Sequence, residues 1–287
     1  MSMFESPLST PETADIRLLV LDIDGTISGE SNSIRPRVLN AIRQAQSQGI
    51  QVAIATGRMY CAALRFYELV GSMLPLLAYQ GAFIKEPRTD VLHHHWPVAK
   101  QTALQLLDYF EEVEQRPDIS RLSIHFYIGD RLYVREMTPE TEAYVERSGV
   151  PANVVGDLRS VLDDDPTKVL ALSHDPALID QLLDSLRQRY TPAELYFTKS
   201  VATFFEAANP QVNKGVAVKY LTETILELSA ENVMAIGDNF NDVEMLEYAQ
   251  IGVAMGNAPT EVKAFANWTT ADVEEDGAAI AIEKFLL

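Results

Sequence analysis

Short apolar runs that break off into polar residues recur along this chain. Ile16-Arg17-Leu18-Leu19-Val20-Leu21 stops at Asp22, Ile50-Gln51-Val52-Ala53-Ile54-Ala55 stops at Thr56-Gly57-Arg58, and Val233-Met234-Ala235-Ile236 stops at Gly237-Asp238. Near-continuous apolar runs of this length predict strands buried on both faces, as in a parallel sheet covered by helices. Between the first two, Ile34, Val38, Ala41, Ile42 and Ala45 follow helical spacing, with Gln48-Gly49 as the stop. Helix-like sequence resumes from Cys61 to Val70, and a third apolar piece, Leu76-Leu77-Ala78-Tyr79, closes at Gln80-Gly81. Strand, helix, strand, helix in this rhythm predicts right-handed parallel crossover units.

The rhythm then changes. Leu122 to Ile128 and Arg131 to Val134 flank Gly129-Asp130, a short reversal that favours antiparallel pairing, and a similar pair, Glu194 to Phe197 and Ala202 to Glu206, follows later. From Lys214 the first rhythm returns: a helix to Leu228, the strand at Val233, a helix from Asp242 to Ala249, and the strand Ile251-Gly252-Val253-Ala254. Pro87 and Asn209-Pro210 are hinge markers. The expectation is an α/β protein whose Rossmann-like parallel-sheet core comes from residues 1–85 and 210–287, with an α+β domain inserted at 86–209.

A length of 287 residues suits one large or two moderate domains, and 47% hydrophobic with 22% charged residues is ordinary for a globular chain. The net charge of -18 argues against a nucleic-acid partner, which needs clustered Lys and Arg. An anionic substrate would have to be met by local positive charge or by a metal. No apolar run approaches the roughly 20 residues of a membrane span, and Met1 to Asp15 lacks a basic, then apolar, leader pattern. A cytoplasmic protein, as a monomer or small homo-oligomer, is expected. The lone Cys61 excludes an internal disulfide and, beside Ala62, Ala63 and Leu64, is expected to be a packed helical residue. His93-His94-His95 alternates faces in a strand and cannot converge on one ion, so it is expected at an edge or surface. Asp163-Asp164-Asp165-Pro166 lacks the spaced oxygens and Gly of a calcium loop and reads as a solvated turn.

Charge at a buried strand's end is costly unless it is used. The carboxyl ends of parallel strands open on one crevice, so Asp22, Asp24, Thr56, Asp238 and Asp242 can meet there, with Lys214 entering at a helix start. Asp22-Ile23-Asp24-Gly25-Thr26 taken alone is also what a turn would select. Several carboxylates in one crevice call for a shared cation, and oxygen-only donors without His or Cys favour a hard one, Mg2+ first.

These four clusters, in this order, resemble the motifs of the haloacid-dehalogenase-like phosphohydrolase superfamily. Asp22-Ile23-Asp24-Gly25-Thr26 is similar to motif I, Thr56 to motif II, Lys214 to motif III and Asp238 to Asp242 to motif IV, while Gly237 to Asn257 resembles the Cof-type branch. The resemblance covers nearly the whole chain. It implies a C2-type (C2B-like) cap in the inserted block and phosphomonoester hydrolysis through an aspartyl-phosphate. Gln80-Gly81-Ala82 departs from the Asn-Gly-Ala of many relatives, which leaves contact between that amide and the site in doubt.

The resemblance also assigns roles. Asp22 would be the nucleophile and, with Asp238 and the backbone carbonyl of Asp24, a Mg2+ ligand. Asp24 would be the acid and base, for which its pKa should lie above that of Asp22. Thr56 and Gly57 would hold a phosphoryl oxygen, Lys214 would supply charge to phosphate and nucleophile, and Asn241 would touch phosphate or a metal-bound water. Asp242 and Asn239 are expected behind these, orienting Lys214 or water. Arg58 either meets substrate or pairs with a surface carboxylate. His125, Tyr127 and Lys199 are candidate substrate contacts in the inserted domain. The implied substrate is a small-molecule phosphomonoester, with sugar phosphates as the leading class. A phosphomutase and a catalytically silent sugar-phosphate sensor are the alternatives.

Overall fold

The computed structural model describes residues 15–117, 119, 121–199 and 201–287, so the stretch examined above for a leader lies, up to Ala14, outside the described residues. The chain opens with β1 (Leu18–Leu21), α1 (Pro36–Ser47), β2 (Gln51–Ile54), α2 (Tyr60–Val70) and a run of three short strands, β3 (Leu76–Ala78), β4 (Phe83–Lys85) and β5 (Leu92–His95). It continues through α3 (Lys100–Glu114), β6 (Ser123–Ile128), β7 (Arg131–Val134), α4 (Pro139–Ser148), β8 (Ala152–Val154), β9 (Lys168–Leu172), α5 (Pro176–Arg189), β10 (Tyr196–Thr198) and β11 (Phe204–Ala208). It closes with α6 (Lys214–Tyr220), β12 (Val233–Gly237), α7 (Val243–Tyr248), β13 (Ile251–Ala254), α8 (Thr260–Lys263), β14 (Trp268–Thr269) and α9 (Gly277–Leu286).

The core sheet has the order β14-β13-β12-β1-β2, parallel throughout. β1 is buried on both faces because its alternating side chains enter two layers. Leu19 and Leu21 join Val38, Ile42, Phe66 and Ile282 of α1, α2 and α9, while Leu18 and Val20 join Ala217, Val218, Met245 and Leu246 of α6 and α7. The chain leaves β1 for β2 on one side and returns as β12 on the other. The loops after these three strands therefore part at β1, the switch point where α/β sheets form ligand crevices.

Two expectations at the boundary change. β3 does not extend the parallel ladder; it touches it only through a bridge between Ala55 and Leu77, then pairs antiparallel with β4, which pairs with β5. The hairpin thus carries the core's own chain past the expected division at 85/86 as far as His95. His93 and His94 are half-buried and Leu92 and His95 are exposed, on a strand at the edge of that small sheet. There His94 stacks on Trp96 with centroids 4.2 Å apart, and His95 Nε2 lies 2.9 Å from Thr167 Oγ1, so the histidines do not converge. Asp165, in the acidic turn, accepts from the backbone N–H of Lys100 at 2.7 Å, at the start of α3.

The inserted domain is a six-stranded sheet, β10-β11-β9-β6-β7-β8, antiparallel except for β7 with β8. Ile124, Phe126, Val169, Ala171 and Phe205 face α3 and α5, packing on Leu106, Phe110, Leu182 and Leu186. The opposite parity, including Tyr127, Leu170 and Leu172, packs toward the core. Gly129 and Asp130 turn the β6/β7 hairpin with φ of 59° and 57°, the left-handed pair that a two-residue reversal requires. Asp130 then reaches the core, accepting from the Cys61 N–H at 2.9 Å and the Tyr79 hydroxyl at 2.8 Å. Met59, at the N-cap of α2, offers no side-chain acceptor, so Asp130 serves the first turn of that helix from another domain. Cys61 is not the packed residue expected. It is exposed in that first turn, and lost solvation beneath the hairpin together with the Asp130 carboxylate pushes its thiol up to about 12. No helix among the described residues is long and apolar enough to cross a membrane.

Candidate active site

At the end of β1 the Asp22 N–H bonds the Ile236 carbonyl of β12 at 3.1 Å, and the Ile23 carbonyl accepts from Thr26, Ile27 and Ser28, coiling the chain back under Asp24. Gly25 makes that turn at φ +80°, and a Cβ there would stand 2.2 Å from Asp238 Oδ2. The position tolerates only glycine on both counts.

Opposite, α6 begins at Lys214, with Asn213 capping it through the Val216 N–H at 2.8 Å. The lysine side chain is fully buried, 2.6 Å from Asp22 Oδ1 and 2.5 Å from Asp242 Oδ1. Asp242 Oδ2 accepts from the backbone N–H groups of Asp238 and Asn239 at 2.9 and 3.0 Å. Both oxygens of Asp242 are thus engaged, and its work is to anchor Lys214 and the loop after β12. Burial alone would discharge Lys214, but the two carboxylates overcome it and hold the ammonium above the ordinary lysine range.

Asp22 and Asp238 stand differently. Burial, only partly opposed by Lys214, pushes Asp22 up to about 7; burial and then the charges of Asp22 and Asp242 push Asp238 up to about 9. Oxygens of Asp22, Asp238 and Asp242 lie within 4.8 Å of one another, and the contacts to Asp238 from Thr26 Oγ1 and Asn257 Nδ2 are long, at 3.4 and 3.2 Å. Two buried carboxylates made costly to ionise by one another, with oxygen donors only, fit a hard divalent cation. The Asp24 side chain is not part of this cluster.

Asp24 is held elsewhere. Arg58 grips it with Nε and Nη2, both at 2.6 Å, and Arg147, from the last turn of α4 in the inserted domain, adds Nη2 at 2.8 Å. Asn32 ties the two arginines together, accepting from Arg58 at 2.8 Å and donating to the Arg147 carbonyl at 2.7 Å. Burial works against the Asp24 charge, but Arg58 and then Arg147 more than offset it, holding the carboxyl below its usual range. The expected order of the two aspartates is therefore reversed as they stand here, with Asp22 high and Asp24 low, because the arginines reach only Asp24. Arg58 pairs with this carboxylate rather than with a surface one, and its guanidinium lies over Phe66 at 4.6 Å.

Thr56 is fixed by backbone bonds to Leu77 and Gln80, and its hydroxyl accepts from the Arg58 N–H at 3.1 Å. Gln80, which the sequence left in doubt, is buried, and its Oε1 accepts from Asn241 Nδ2 at 2.9 Å. The extra methylene is accommodated by Gly57, where a Cβ would fall 2.4 Å from Gln80 Nε2. Asn239 caps the turn into α7 through the Phe240 N–H at 2.9 Å.

A cavity of about 630 Å3 opens over this floor. Asp22, Asp24, Thr56, Gly57, Arg58, Asp238, Asn239 and Asn241 line it from the core. From the inserted domain come Tyr144, Arg147, Lys168, Leu170, Leu172 and Phe204 among others. The candidates placed there by sequence are elsewhere. His125 is buried, 2.9 Å from Thr141 Oγ1 and 3.3 Å from the Tyr127 hydroxyl, and desolvation drives its pKa down to about 3. Tyr127 is buried beside it, and Lys199 pairs with Asp180 at 2.6 Å. None of the three lines the cavity. Lys168 was missed: it bonds Glu206 at 2.8 Å and the Gly57 carbonyl at 3.2 Å, joining the domains beside the Thr56 loop. Its signal was a cation opening the apolar run Val169 to Leu172.

Residues 19–282 match the family model of haloacid dehalogenase-like hydrolases. The chain is 30% identical over 278 residues to 5-amino-6-(5-phospho-D-ribitylamino)uracil phosphatase YitU of Bacillus subtilis, covering 93% of this chain and 97% of that one. It is 28% identical over 289 residues to pyridoxal phosphate phosphatase YbhA of Escherichia coli, covering 94% and 99%. Among solved structures, a haloacid dehalogenase-like hydrolase from Bacillus subtilis gives a TM-score of 0.81 at 26% identity, covering 94% of this chain and all of that one.

Proposed function

Since the chain belongs to the haloacid dehalogenase-like hydrolase family, as a phosphatase of small phosphorylated metabolites, we propose that it cleaves phosphomonoesters with Mg2+ through an aspartyl-phosphate on Asp22. The observation that carries this is the buried lysine bridge. Lys214 holds one oxygen of Asp22 from behind while Asp238 faces it, so the carboxylate is aimed, kept close to positive charge and shielded from bulk water. The named substrates of the two relatives, a phosphorylated ribitylaminouracil and pyridoxal phosphate, are both small phosphomonoesters, and sugar phosphates belong to the same chemical set.

Asp22 and Asp238, with the Asp24 carbonyl, would hold Mg2+, which when bound neutralises charge on phosphate and nucleophile together. Asp22 attacks phosphorus and the bond to the leaving oxygen breaks. Asp24 gives that oxygen a proton, then takes one from the water that hydrolyses the acyl phosphate. The arginine grip on Asp24 suits the second half of this cycle, in which a carboxylate is needed. For the first half, the incoming phosphate must draw Arg58 or Arg147 away so that Asp24 can carry a proton. Thr56, Gly57 and Asn241 hold phosphoryl oxygens. The inserted domain, entering between Thr56 and Lys214, acts as a C2-type cap.

The deciding experiment is phosphate release from a panel of phosphomonoesters, with rapid quench and mass measurement of the Asp22 peptide. Turnover that survives excess chelator, or that is untouched in Asp22→Asn, would overturn the mechanism. Asp24→Ala separates an enzyme, which loses turnover, from a sensor, which keeps its ligand affinity.

A further inference from the structure

The cap side of the cavity differs in kind from the floor. Along β9 the side chains of Lys168, Leu170 and Leu172 share one face, and all three line the cavity. Phe204 pairs directly with Leu172 across the β9/β11 ladder. Tyr144 of α4 stands over it, with ring centroids 6.2 Å apart and planes tilted by 49°. The result is a corner of two leucines and two aromatic rings, open to the site. Several of the polar groups around it already have partners. Glu140 bonds His174 at 2.9 Å and Ser123 at 3.1 Å, Ser173 accepts from the Asp175 N–H at 3.1 Å, and Ser148 accepts from the Val150 N–H at 3.2 Å. Lys168 is paired with Glu206, and Arg147 with Asp24.

A polyol placed against such a wall would surrender water at several hydroxyls with few partners in return, and each unpaired hydroxyl is penalised. A planar apolar ring loses little water and gains offset or edge-on contact with Tyr144 and Phe204. At about 630 Å3 the cavity is mid-range for sites that take drug-sized organic molecules.

Building on the phosphatase reading above, we propose that the cap corner of Leu170, Leu172, Tyr144 and Phe204 selects phosphomonoesters whose leaving alcohol carries an aromatic or heteroaromatic ring. Sugar phosphates, the class that the sequence resemblance puts first, then come second.

The test compares esters that all release a primary alcohol, so that intrinsic reactivity differs little: 2-naphthylmethyl phosphate and benzyl phosphate against glucose 6-phosphate and glycerol 3-phosphate. The ring-bearing esters are expected to show kcat/KM about tenfold or more above the other two, the scale on which apolar pockets discriminate. In Phe204→Ser the ratio of kcat/KM for 2-naphthylmethyl phosphate over glycerol 3-phosphate should fall about tenfold. On the unaltered protein, 2-naphthylmethylphosphonate should inhibit more tightly than methylphosphonate, a readout independent of how the variant folds. Glucose 6-phosphate or glycerol 3-phosphate matching the aromatic esters, or equal inhibition by the two phosphonates, would overturn the proposal. Absence of turnover with all four esters would instead overturn the phosphatase reading on which it rests.

Discussion

The two sides of the cavity are built on opposite principles. On the core side the catalytic candidates are charged or strongly polar, and the most tightly held make several short bonds, as Lys214 does between Asp22 and Asp242 and as Asp24 does in the fork of Arg58. On the cap side Leu170, Leu172, Tyr144 and Phe204 offer area and shape with little direction. One side is organised for rate and the other for choice, so substitutions should divide between kcat and KM according to the side on which they fall.

The largest effect should come from Asp22→Asn. The amide can still accept from Lys214 but cannot attack phosphorus, and kcat should drop on the order of 10,000-fold or more, as when a nucleophile is deleted elsewhere. Phosphate release measures this, and excess chelator should silence the unaltered protein to a comparable degree. Lys214→Met comes next, with a loss of about 100-fold or more in rate. Because it leaves Asp22 and Asp242 buried without a counter-charge, it should also destabilise folding by about 3–5 kcal/mol in denaturant titrations. A rate loss without any stability loss would mean that the crevice admits water and that the contrast between the two sides is weaker than drawn.

Arg147 is where charge crosses from cap to core, so Arg147→Ala tests whether the sides are separable. With one arginine gone, the Asp24 carboxyl should rise toward its ordinary range, and the basic limb of the kcat/KM profile, set by the proton that Asp24 gives the leaving oxygen, should move to higher pH. An unshifted limb would mean that Arg58 alone sets the state of Asp24. The smallest effect on turnover lies away from the cavity, at His125. Its pKa, driven down to about 3 by burial, is far below that of the unfolded chain. The unfolded state therefore binds a proton, and the folded state does not, between about pH 6.5 and 3. Stability from this group is complete above about 6.5 and is lost as pH falls, at about 1.4 kcal/mol per unit through that window. His125→Phe should flatten that part of the stability curve without altering substrate preference.

The same contrast explains what the sequence disclosed. The core side was legible because its residues sit next to one another at strand ends: Asp22, Thr56 and Asp238 follow apolar runs, and strand ends of a parallel sheet have one place to meet. The cap side is assembled from alternate residues on β9, a partner strand more than thirty residues later and a helix between other strands, so its face depends on register that no local pattern states. His125 and Tyr127 show the failure directly, because polarity suggested the cleft while α4 and the core cover that part of the sheet. Arg147 left no trace beyond a basic residue in a helix's last turn, which the helix dipole alone would favour. β3 misled for a similar reason. A three-residue apolar strand carries no sign of whether its neighbour will be parallel or antiparallel.

Asp130 has a consequence for any attempt to exchange the insertion between relatives. The hairpin tip completes the opening turn of α2, the helix that immediately follows Thr56, Gly57 and Arg58, and nothing in the recipient's own strand-to-helix joint replaces it. A transplanted specificity module that kept every cavity contact but lacked this one carboxylate would leave the Cys61 N–H at the start of its host's helix without that acceptor, at a cost of about 1 kcal/mol. The inserted block is therefore not a detachable lid; part of the host's local folding code is stored in the guest.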